Sequence, residues 1–288
     1  YKDLTNVTYA PDGVPDIGEG LGMAAQAVAE GKCKVALFIY TANNLEGRYR
    51  RGGEAASNEA RGNSQWNHTW GANVIDMQLW TTLPMVEYLN TYGGTWEDVL
   101  GPIVVNEHRN GLMNDWSFYV QNGAAHLTFE DYANSRPITN PAHIWDYDRP
   151  VNAAGAFIIT SAERARDCKG KPAYVLGVGE KHTHEFIVCA ESLTQFGAEE
   201  SGRDAYTMAG VGPADIDVAQ LYDCFSIVPV IELAELGFCK RGEGGAFYAD
   251  GHADIGGKLP INTHGGMLSH AHAGATGGLL GIIEAVAQ

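Results

Sequence analysis

Basic residues are scarce in this sequence of 288 amino acids. It contains 19 lysines and arginines against 35 aspartates and glutamates, so its formal net charge is −16. A surface of this sign repels the phosphates of nucleic acids and, more weakly, an anionic membrane surface. We therefore expect no nucleic acid among the partners of this protein.

Long apolar runs and paired cysteines are also missing. No stretch approaches the roughly 18 to 20 apolar residues that a membrane helix needs, so no membrane span is expected. The first residues have neither a basic segment nor an apolar run, and they predict no signal peptide. The 5 cysteines include no Cys-x-x-Cys pair. This odd, dispersed set favours reduced thiols in a cytoplasmic protein.

Three common motifs of catalysis and nucleotide binding are absent. The sequence has no G-x-S-x-G elbow, no P-loop, and no G-x-G-x-x-G between a strand and a helix. Hydrophobic residues make up 45% of the chain and charged residues 19%, which are ordinary values for a globular protein. A disordered or fibrous protein is therefore excluded.

Helical and strand-like segments alternate along the chain, which indicates a layered α/β protein. Continuous apolar runs at 34–40 and 154–160 predict strands that are buried on both faces. Two further strands are predicted at 171–180 and 216–221. Helices are predicted at 21–31, 71–91, 95–109, in the first part of 201–223, at 227–238, and after the Gly-rich loop near the end of the sequence.

Polar residues mark the starts of three of these helical segments. Thr95 with Asp98 has the spacing of a capping box, Ser161 is a typical N-cap, and the run at 128–131 begins a short helix. The segment at 43–67 is polar and rich in glycine and arginine. It predicts a long loop, and loops of that length are often functional.

Tyr222, Asp223 and Cys224 follow a predicted strand and come just before a predicted helix. Ligands bind at this edge of open α/β sheets, so these residues are candidates for a site. The alternative is structural, with Tyr222 as a half-buried aromatic and Cys224 as a small core residue.

A second candidate site is the glycine-rich and histidine-rich loop near the end of the sequence. Glycines allow the backbone to approach a ligand closely, and histidines can act as acids, bases or oxyanion donors. No suitably spaced third ligand accompanies the histidines, so no metal site is predicted. A further pair, His182 and His184, is interpreted as part of a solvated loop. The candidate residues of the loop are His264, Gly265, Gly266, His270, His272 and Gly274.

Two long segments resemble the C-terminal half of thiolase-superfamily proteins, in the branch of sterol-carrier-protein-x and lipid-transfer proteins. They are IDVAQLYDCFSIVPVIELAELGFCKRGEGGAFYADG at 216–251 and GGKLPINTHGGMLSHAHAGATGG at 256–278. Shorter segments, GMAAQAVAEGKCKVALFIY at 22–40 and VNAAGAFIITSAERARD at 151–167, are similar to other parts of the same family.

The resemblance implies a thiolase fold, in which two similar α/β halves pack in a layered αβαβα arrangement. Residues 1–160 would form a partial N-terminal half, with an excursion at 43–150, and residues 161–288 would form the C-terminal half. The N-terminal βαβ unit and the last strands of the family are expected to be missing. The resemblance also implies a homodimer that acts on acyl-CoA, with coenzyme A as part of the substrate and no tightly bound cofactor.

The resemblance carries two departures that bear on chemistry. Thiolases have a nucleophilic cysteine at the start of the helix matching 17–31, where the helix dipole favours a thiolate. This sequence has no cysteine at 13–19, and Cys33 lies at the far end of that helix. Tyr222 and Asp223 also replace the usual Asn-Glu or His-Asp pair. This combination resembles steroid side-chain aldolases, which cleave a β-hydroxyacyl-CoA by a retro-aldol step and work with a small zinc-ribbon/OB-fold partner chain.

The implied retro-aldol chemistry assigns roles to the candidate residues. Tyr222 is a base or proton relay if a neighbour lowers its pKa, and Asp223 belongs to the same catalytic group. His272 falls on the histidine of the Gly-His-Pro loop and would donate to the thioester oxyanion. The remaining candidates are His264 and His270, which would orient those donors, Gly265, Gly266 and Gly274, which would approach the substrate, and Arg48 and Arg51, which would bind the phosphates of coenzyme A.

Two alternatives remain open from the sequence. The protein could be an acyltransferase that uses Cys224 or Cys239 as its nucleophile, because Lys240 and Arg241 would favour a thiolate at Cys239. It could also be a non-catalytic subunit that binds acyl-CoA or supports a partner chain.

Overall fold

The computed structural model describes residues 17–42, 78–184, 190–273 and 276–288 of the chain. The predicted loop at 43–67, with Arg48 and Arg51, lies outside the described residues, as does Gly274. The helices are α1 (Ile17–Ala29), α2 (Gln78–Tyr92), α3 (Trp96–Leu112), α4 (Phe118–Gln121), α5 (Phe129–Ala133), α6 (Ala162–Ala165), α7 (Ala198–Ala209), α8 (Ile227–Glu235), α9 (Gly244–Ala249) and α10 (Thr276–Ala287), with a π-helix at Gly266–His270 and 3₁₀ turns at Ile144–Asp146 and Pro213–Asp215.

The two apolar runs form an antiparallel pair of strands. β1 (Val35–Ala42) lies beside β2 (Ala153–Thr160), with Val35 opposite Thr160 and Ala42 opposite Ala153. Both predicted strands are confirmed in position. Helices α1 and α10 pack against this pair. Helix α10 belongs to the predicted C-terminal half but packs against β2 of the predicted N-terminal half. The division of the sequence into two halves at residue 160 stays a prediction.

The expectation that these strands are buried on both faces is wrong for the described chain. Burial alternates along each strand, with Leu37 58% exposed and Ile158 68% exposed, while Phe38 and Phe157 stack on the other face. An apolar run shows that both faces are apolar, but it does not show what covers them. In the described residues, helices cover one face only.

The strands predicted at 171–180 and 216–221 do not form in the described chain. Segment 171–180 forms no helix or strand and lies against α7, where Gly177 and Gly179 approach the backbone of that helix too closely for a side chain. Segment 216–221 makes one isolated bridge, between Ala219 and Ile261. Strand-forming composition needs a neighbouring strand, and these segments pack against other elements instead.

The helix starts marked by polar residues are confirmed. The hydroxyl of Thr95 accepts from the backbone N–H of Asp98 at 3.2 Å, and Ser161 accepts from Arg164 N–H at 3.3 Å. Thr128 forms a full capping box with Asp131. These signals are local in sequence, so they do not depend on the surrounding fold.

Helix α3 lies in the core and supports the candidate site. Its residues Leu100, Ile103 and Val104 are at most 1% exposed, and the helix packs against α5, α9 and the π-helix. Gly111 of α3 lies directly against the backbone of Ser269, so α3 fixes the position of the π-helix. No helix in the described ranges is long and apolar enough to cross a membrane.

Candidate active site

Tyr222, His272 and Asp148 form a continuous polar chain. The phenol oxygen of Tyr222 lies 3.4 Å from Nε2 of His272, and Nδ1 of His272 lies 2.6 Å from a carboxylate oxygen of Asp148. His272 is 4% exposed and Asp148 6% exposed. A short hydrogen bond between such buried groups holds the imidazole in one orientation.

Backbone hydrogen bonds tie together the three segments that carry this chain. The N–H of Asp148 donates to the carbonyl of Cys224 at 3.2 Å. Two further bonds join the same segment to the loop, because the N–H of His272 donates to the carbonyl of Arg149 at 3.1 Å and the N–H of Val151 donates to the carbonyl of His272 at 3.1 Å. The segment at 148–151 therefore lies between the Tyr222 segment and the His272 loop and aligns both.

The acceptor Asp148 determines what His272 can do. A carboxylate accepts at Nδ1, so the neutral ring carries its proton there and presents a lone pair at Nε2 to the Tyr222 hydroxyl. This arrangement suits a base that takes a proton from Tyr222. The expected oxyanion role would need a proton at Nε2 instead, and it stays a prediction.

Tyr222 remains a phenol rather than a phenolate. Although 40% of the residue is exposed, burial raises the pKa of its hydroxyl, and Cys224, Asp148 and Asp223 raise that pKa further. The requirement that a neighbour lower this pKa is therefore not met. Tyr222 can still act as a relay, because it can pass its own proton to His272 while it accepts another.

Asp223 lies beneath the π-helix and is fully buried. Its two carboxylate oxygens accept from the N–H groups of Met267 and Leu268 at 2.8 and 3.0 Å. A side chain at Gly266 would run into this carboxylate, and Gly266 has φ 61°. Asp223 thus holds the loop that leads to His272, and its place in the catalytic group stays a prediction.

A neutral Glu107 supports Asp223 from below. Burial and the Asp223 carboxylate raise the pKa of Glu107 well above its usual range. Asn262 donates to Glu107 at 2.8 Å and accepts from the N–H of Leu221 at 2.8 Å. Burial also raises the pKa of Asp223, but the two backbone donors oppose the rise. The raised pKa of Glu107 therefore keeps a proton on this carboxyl pair.

His264 and His270 form a buried pair with each other. Their Nδ1 atoms are 2.9 Å apart, and burial lowers the pKa of His264 to about 3. Both rings are thus neutral, and one Nδ1–H donates to the other. Asn114 donates to the carbonyl of His264 at 3.2 Å. The pair stabilises the loop behind the Tyr222–His272 contact.

A cavity of about 550 Å³ opens beside Tyr222. Its floor includes Cys224 and Glu232, and its polar rim includes His182 and His184. The interpretation of these two histidines as a merely solvated loop is thus incomplete, because the fold brings them to the cavity that Tyr222 lines. The apolar wall consists of Pro84, Leu193, Phe196, Phe225 and Val228.

Glu232 is a cavity residue that the sequence reasoning missed. One oxygen of its carboxyl group accepts from the backbone N–H of Tyr222 at 3.3 Å. Burial raises its pKa to about 8, and the charges of Asp223 and Glu235 add to the rise. A signal for it was present, because Glu232 stands one helical turn after Val228 in a helix whose one other charged residue is Glu235.

The cysteines are not poised as nucleophiles. Burial raises the pKa of Cys224 well above its usual range and that of Cys239 to about 11. The expectation that Lys240 and Arg241 favour a thiolate at Cys239 is wrong, because Arg241 is engaged with Glu199 at 2.7 Å. Cys33 follows the C-terminal end of α1, as expected.

No group of three or more histidine, cysteine or acidic side chains in the described ranges is arranged to hold a metal ion. The site described here is built from Tyr222, His272, Asp148 and the cavity beside them.

Comparisons with known proteins place this fold in a family. Residues 179–288 match the family described as thiolase C-terminal domain-like. The chain is 34% identical over 273 residues to a steroid side-chain-cleaving aldolase of Thermomonospora curvata, covering 91% of this chain and 67% of that protein. It is 34% identical over 208 residues to the 17-hydroxy-3-oxo-4-pregnene-20-carboxyl-CoA lyase of Mycobacterium tuberculosis, covering 70% of this chain and 52% of that one.

The structural comparison agrees with the sequence matches. The chain resembles the solved Ltp2-ChsH2(DUF35) aldolase with a TM-score of 0.79 and 33% identity, over 92% of this chain and 67% of the other. The fold is therefore that of the thiolase superfamily. Within it, the chain belongs to the thiolase-like family that includes the steroid side-chain-cleaving aldolases. The resemblance stated from the sequence is confirmed.

Proposed function

We propose that this protein cleaves a carbon–carbon bond of a β-hydroxyacyl-CoA by a retro-aldol reaction. The observation that carries the proposal is the Tyr222–His272–Asp148 chain, which ends at a cavity large enough for an apolar acyl group. The reaction class agrees with the names of two relatives, an aldolase and a CoA lyase. The protein spans about two thirds of the length of the aldolase and half of the length of the CoA lyase, so its substrate and partners are proposals.

The polar chain removes the proton of the β-hydroxyl group. That proton passes to the oxygen of Tyr222 while the proton of Tyr222 passes to Nε2 of His272. The bond between the α- and β-carbons then breaks, a carbonyl forms at the β-carbon, and the electron pair moves toward the α-carbon and the thioester oxygen. Asp148 stabilises the imidazolium that results, as an acidic partner does in other histidine relays.

This chemistry needs no covalent intermediate, which fits the state of the cysteines. The thiols of Cys224 and Cys239 are protonated at neutral pH because burial raises the pKa of each. An acyl-enzyme needs a thiolate, since the thiolate is the nucleophile. The acyltransferase alternative is therefore disfavoured by the same environment that suits an acid–base reaction.

The cavity supports an apolar acyl group attached to coenzyme A. Its wall contains Phe196, Phe225 and Val228, and its rim carries Lys181 and two histidines. Apolar walls with a few polar groups are typical of small-molecule sites. Coenzyme A is proposed as part of the substrate, and a polycyclic or branched β-hydroxyacyl chain is the class that this wall would accept.

We also propose that the protein works in the cytoplasm as a homodimer with a small partner chain of the zinc-ribbon/OB-fold type. The solved relative named Ltp2-ChsH2(DUF35) aldolase contains a second component by its name. The exposed apolar residues Leu37, Ile39 and Ile158 on the open face of the strand pair support burial against another protein surface. Cys33, Cys168, Cys224 and Cys239 are free thiols, which fits a reducing compartment.

The direct test is an assay of product release. The purified protein, with and without a candidate partner chain, is incubated with 17-hydroxy-3-oxo-4-pregnene-20-carboxyl-CoA, and the products are separated by liquid chromatography and mass spectrometry. We expect a ketone and a shortened acyl-CoA in equal amounts. Intact substrate under both conditions, or an acyl group left on a cysteine, contradicts the proposal.

A further inference from the structure

The cavity contains a second acid–base group that the relay does not use. Glu232 lines the same cavity as Tyr222 and accepts the backbone N–H of that residue at 3.3 Å. In the described residues, this is the one hydrogen bond of its side chain. The rest of the carboxyl group is thus free to interact with a molecule bound in the cavity.

The proposed retro-aldol reaction needs such a group at its end. When the bond to the β-carbon breaks, the electron pair is left on the α-carbon, and a proton must be added there to complete the acyl-CoA product. His272 has just received a proton, but it is 4% exposed and lies behind Tyr222. A second acid in the cavity can protonate the α-carbon without waiting for His272 to return its proton.

We infer that Glu232 is this proton donor, and the inference rests on the proposed function. The O–H of the Glu232 carboxylic acid gives its proton to the α-carbon of the enolate, the carbon–hydrogen bond forms, and Glu232 is left as a carboxylate. Water then returns a proton to Glu232 and removes one from the Tyr222–His272 relay, so the site is restored without any further reactant.

The surroundings keep Glu232 in the acid form. Asp223 and Glu235 face it with carboxyl groups, Cys224 and Tyr222 face it with neutral groups, and its burial disfavours a charge. The other ionisable groups in the cavity lining are Lys181, His182 and His184.

The other donors of the cavity are less suited to this step. His182 is bound to Glu180 at 2.6 Å, and its side chain is 78% exposed at the rim. His184 is bound to the hydroxyl of Thr183 at 2.8 Å. The thiol of Cys224 holds its proton more tightly than a carboxylic acid does, because burial raises its pKa. Glu232 combines a place in the cavity wall with an acid strength near neutrality.

The inference is tested with Glu232→Gln, which keeps the acceptor for the Tyr222 N–H but cannot give or take a proton. Glu199→Gln is the matched control, because the Glu199 side chain on α7 is 59% exposed and does not line the cavity. Each variant is incubated in D₂O with propionyl-CoA, whose α-carbon carries one methyl group, in the presence of the ketone product. Deuterium at the α-carbon is measured by mass spectrometry.

We expect the wild-type protein and Glu199→Gln to exchange the α-proton, and Glu232→Gln to exchange it about 10²-fold or more slowly. The rate of exchange in the wild type should rise with pH through about 8, because removal of the α-proton needs the carboxylate form of Glu232. The rate of cleavage should fall through the same pH, because protonation of the α-carbon needs the acid form. In Glu232→Gln, neither the rate of exchange nor the rate of cleavage should change in this way around pH 8.

Three results overturn the inference. The first is a rate of α-proton exchange in Glu232→Gln equal to that of the wild type. The second is the absence of exchange in a wild-type protein that cleaves its substrate. The third is a pH dependence of exchange and cleavage in Glu232→Gln that is the same as in the wild type. Glu232→Asp covers the case in which Glu232→Gln does not fold, because it keeps the acid and should retain the pH dependence of exchange and cleavage at a lower rate. Failure of the proposed function is distinguishable from failure of this inference, because in that case the wild-type protein itself releases no ketone.

Discussion

Nδ1 of His272 lies 2.6 Å from a carboxylate oxygen of Asp148, although the two residues are 124 positions apart in the chain. This contact fixes the imidazole so that its other nitrogen meets Tyr222. A proton on Nδ1 would leave the nitrogen that meets Tyr222 able to accept a proton, which is the role that the proposed reaction gives to His272. The proposed reaction depends on this relationship.

Asp148→Asn should lower the rate of cleavage about 10²-fold or more. The amide can donate to Nδ1, which favours the wrong tautomer and removes the charge that stabilises the imidazolium. Asp204→Asn, at an exposed position on α7, is the control and should leave the rate unchanged. Steady-state kinetics on the purified variants checks this prediction, and equal rates for the two variants would contradict it.

Tyr222→Phe should lower kcat about 10²-fold with little change in KM. The variant keeps the ring in the cavity but removes the hydroxyl that passes the proton to His272. A variant that retains the wild-type kcat would show that the β-hydroxyl proton takes another route. The thermal unfolding midpoint of the variant should stay close to that of the wild type, which separates this effect from a loss of structure.

Gly266→Ala should destabilise the protein by about 1–3 kcal/mol and impair cleavage. The new side chain would meet the carboxylate of Asp223, and the residue has a positive φ. Gly256→Ala is the matched control, because Gly256 also has a positive φ, 86°, but has open space around its Cβ position. Urea unfolding measures both. An equal loss in the two variants would mean that the contact with Asp223 contributes nothing.

Glu107→Gln should make stability less sensitive to pH. The folded protein holds a proton on Glu107 that the unfolded chain releases above about pH 4, so folding stability falls as pH rises between the unfolded and folded pKa values. Removing this group should reduce the slope by up to about 1.4 kcal/mol per pH unit. Unfolding free energies at pH 5, 6 and 7 test this, with exposed Glu163→Gln as the control. Identical slopes in Glu107→Gln and the wild type would contradict the assignment.

Incubation with acetyl-CoA should leave the mass of the protein unchanged. The pKa values of Cys224 and Cys239 are raised by burial, so neither thiol attacks a thioester at neutral pH. Intact-mass spectrometry checks this directly. An adduct of one acyl group that disappears in Cys239→Ser would restore the acyltransferase alternative.

The features predicted well from the sequence depend on neighbours along the chain or on the family resemblance. The caps at Thr95 and Ser161 need only residues one helical turn away. Tyr222 and His272 are candidates because one follows a predicted strand and the other lies in a glycine-rich loop, and both stand in segments similar to thiolase-like proteins. Their mutual contact at 3.4 Å is what the structure adds.

The features missed from the sequence depend on distant contacts. Asp148 stands in an ordinary stretch between a tyrosine and an arginine, and only the fold brings it to His272. Segment 171–180 has strand-forming composition, but its glycines fit it against α7. The protonation states of Tyr222 and Glu232 follow from burial, which local sequence does not define.

The measurement that tests the central claim most directly is the product balance of wild-type protein and Asp148→Asn on the same β-hydroxyacyl-CoA. The account predicts equal amounts of ketone and shortened acyl-CoA from the wild type, and about 10²-fold slower release of both from the variant. Equal rates in the two proteins, or release of free coenzyme A without a ketone, would contradict it.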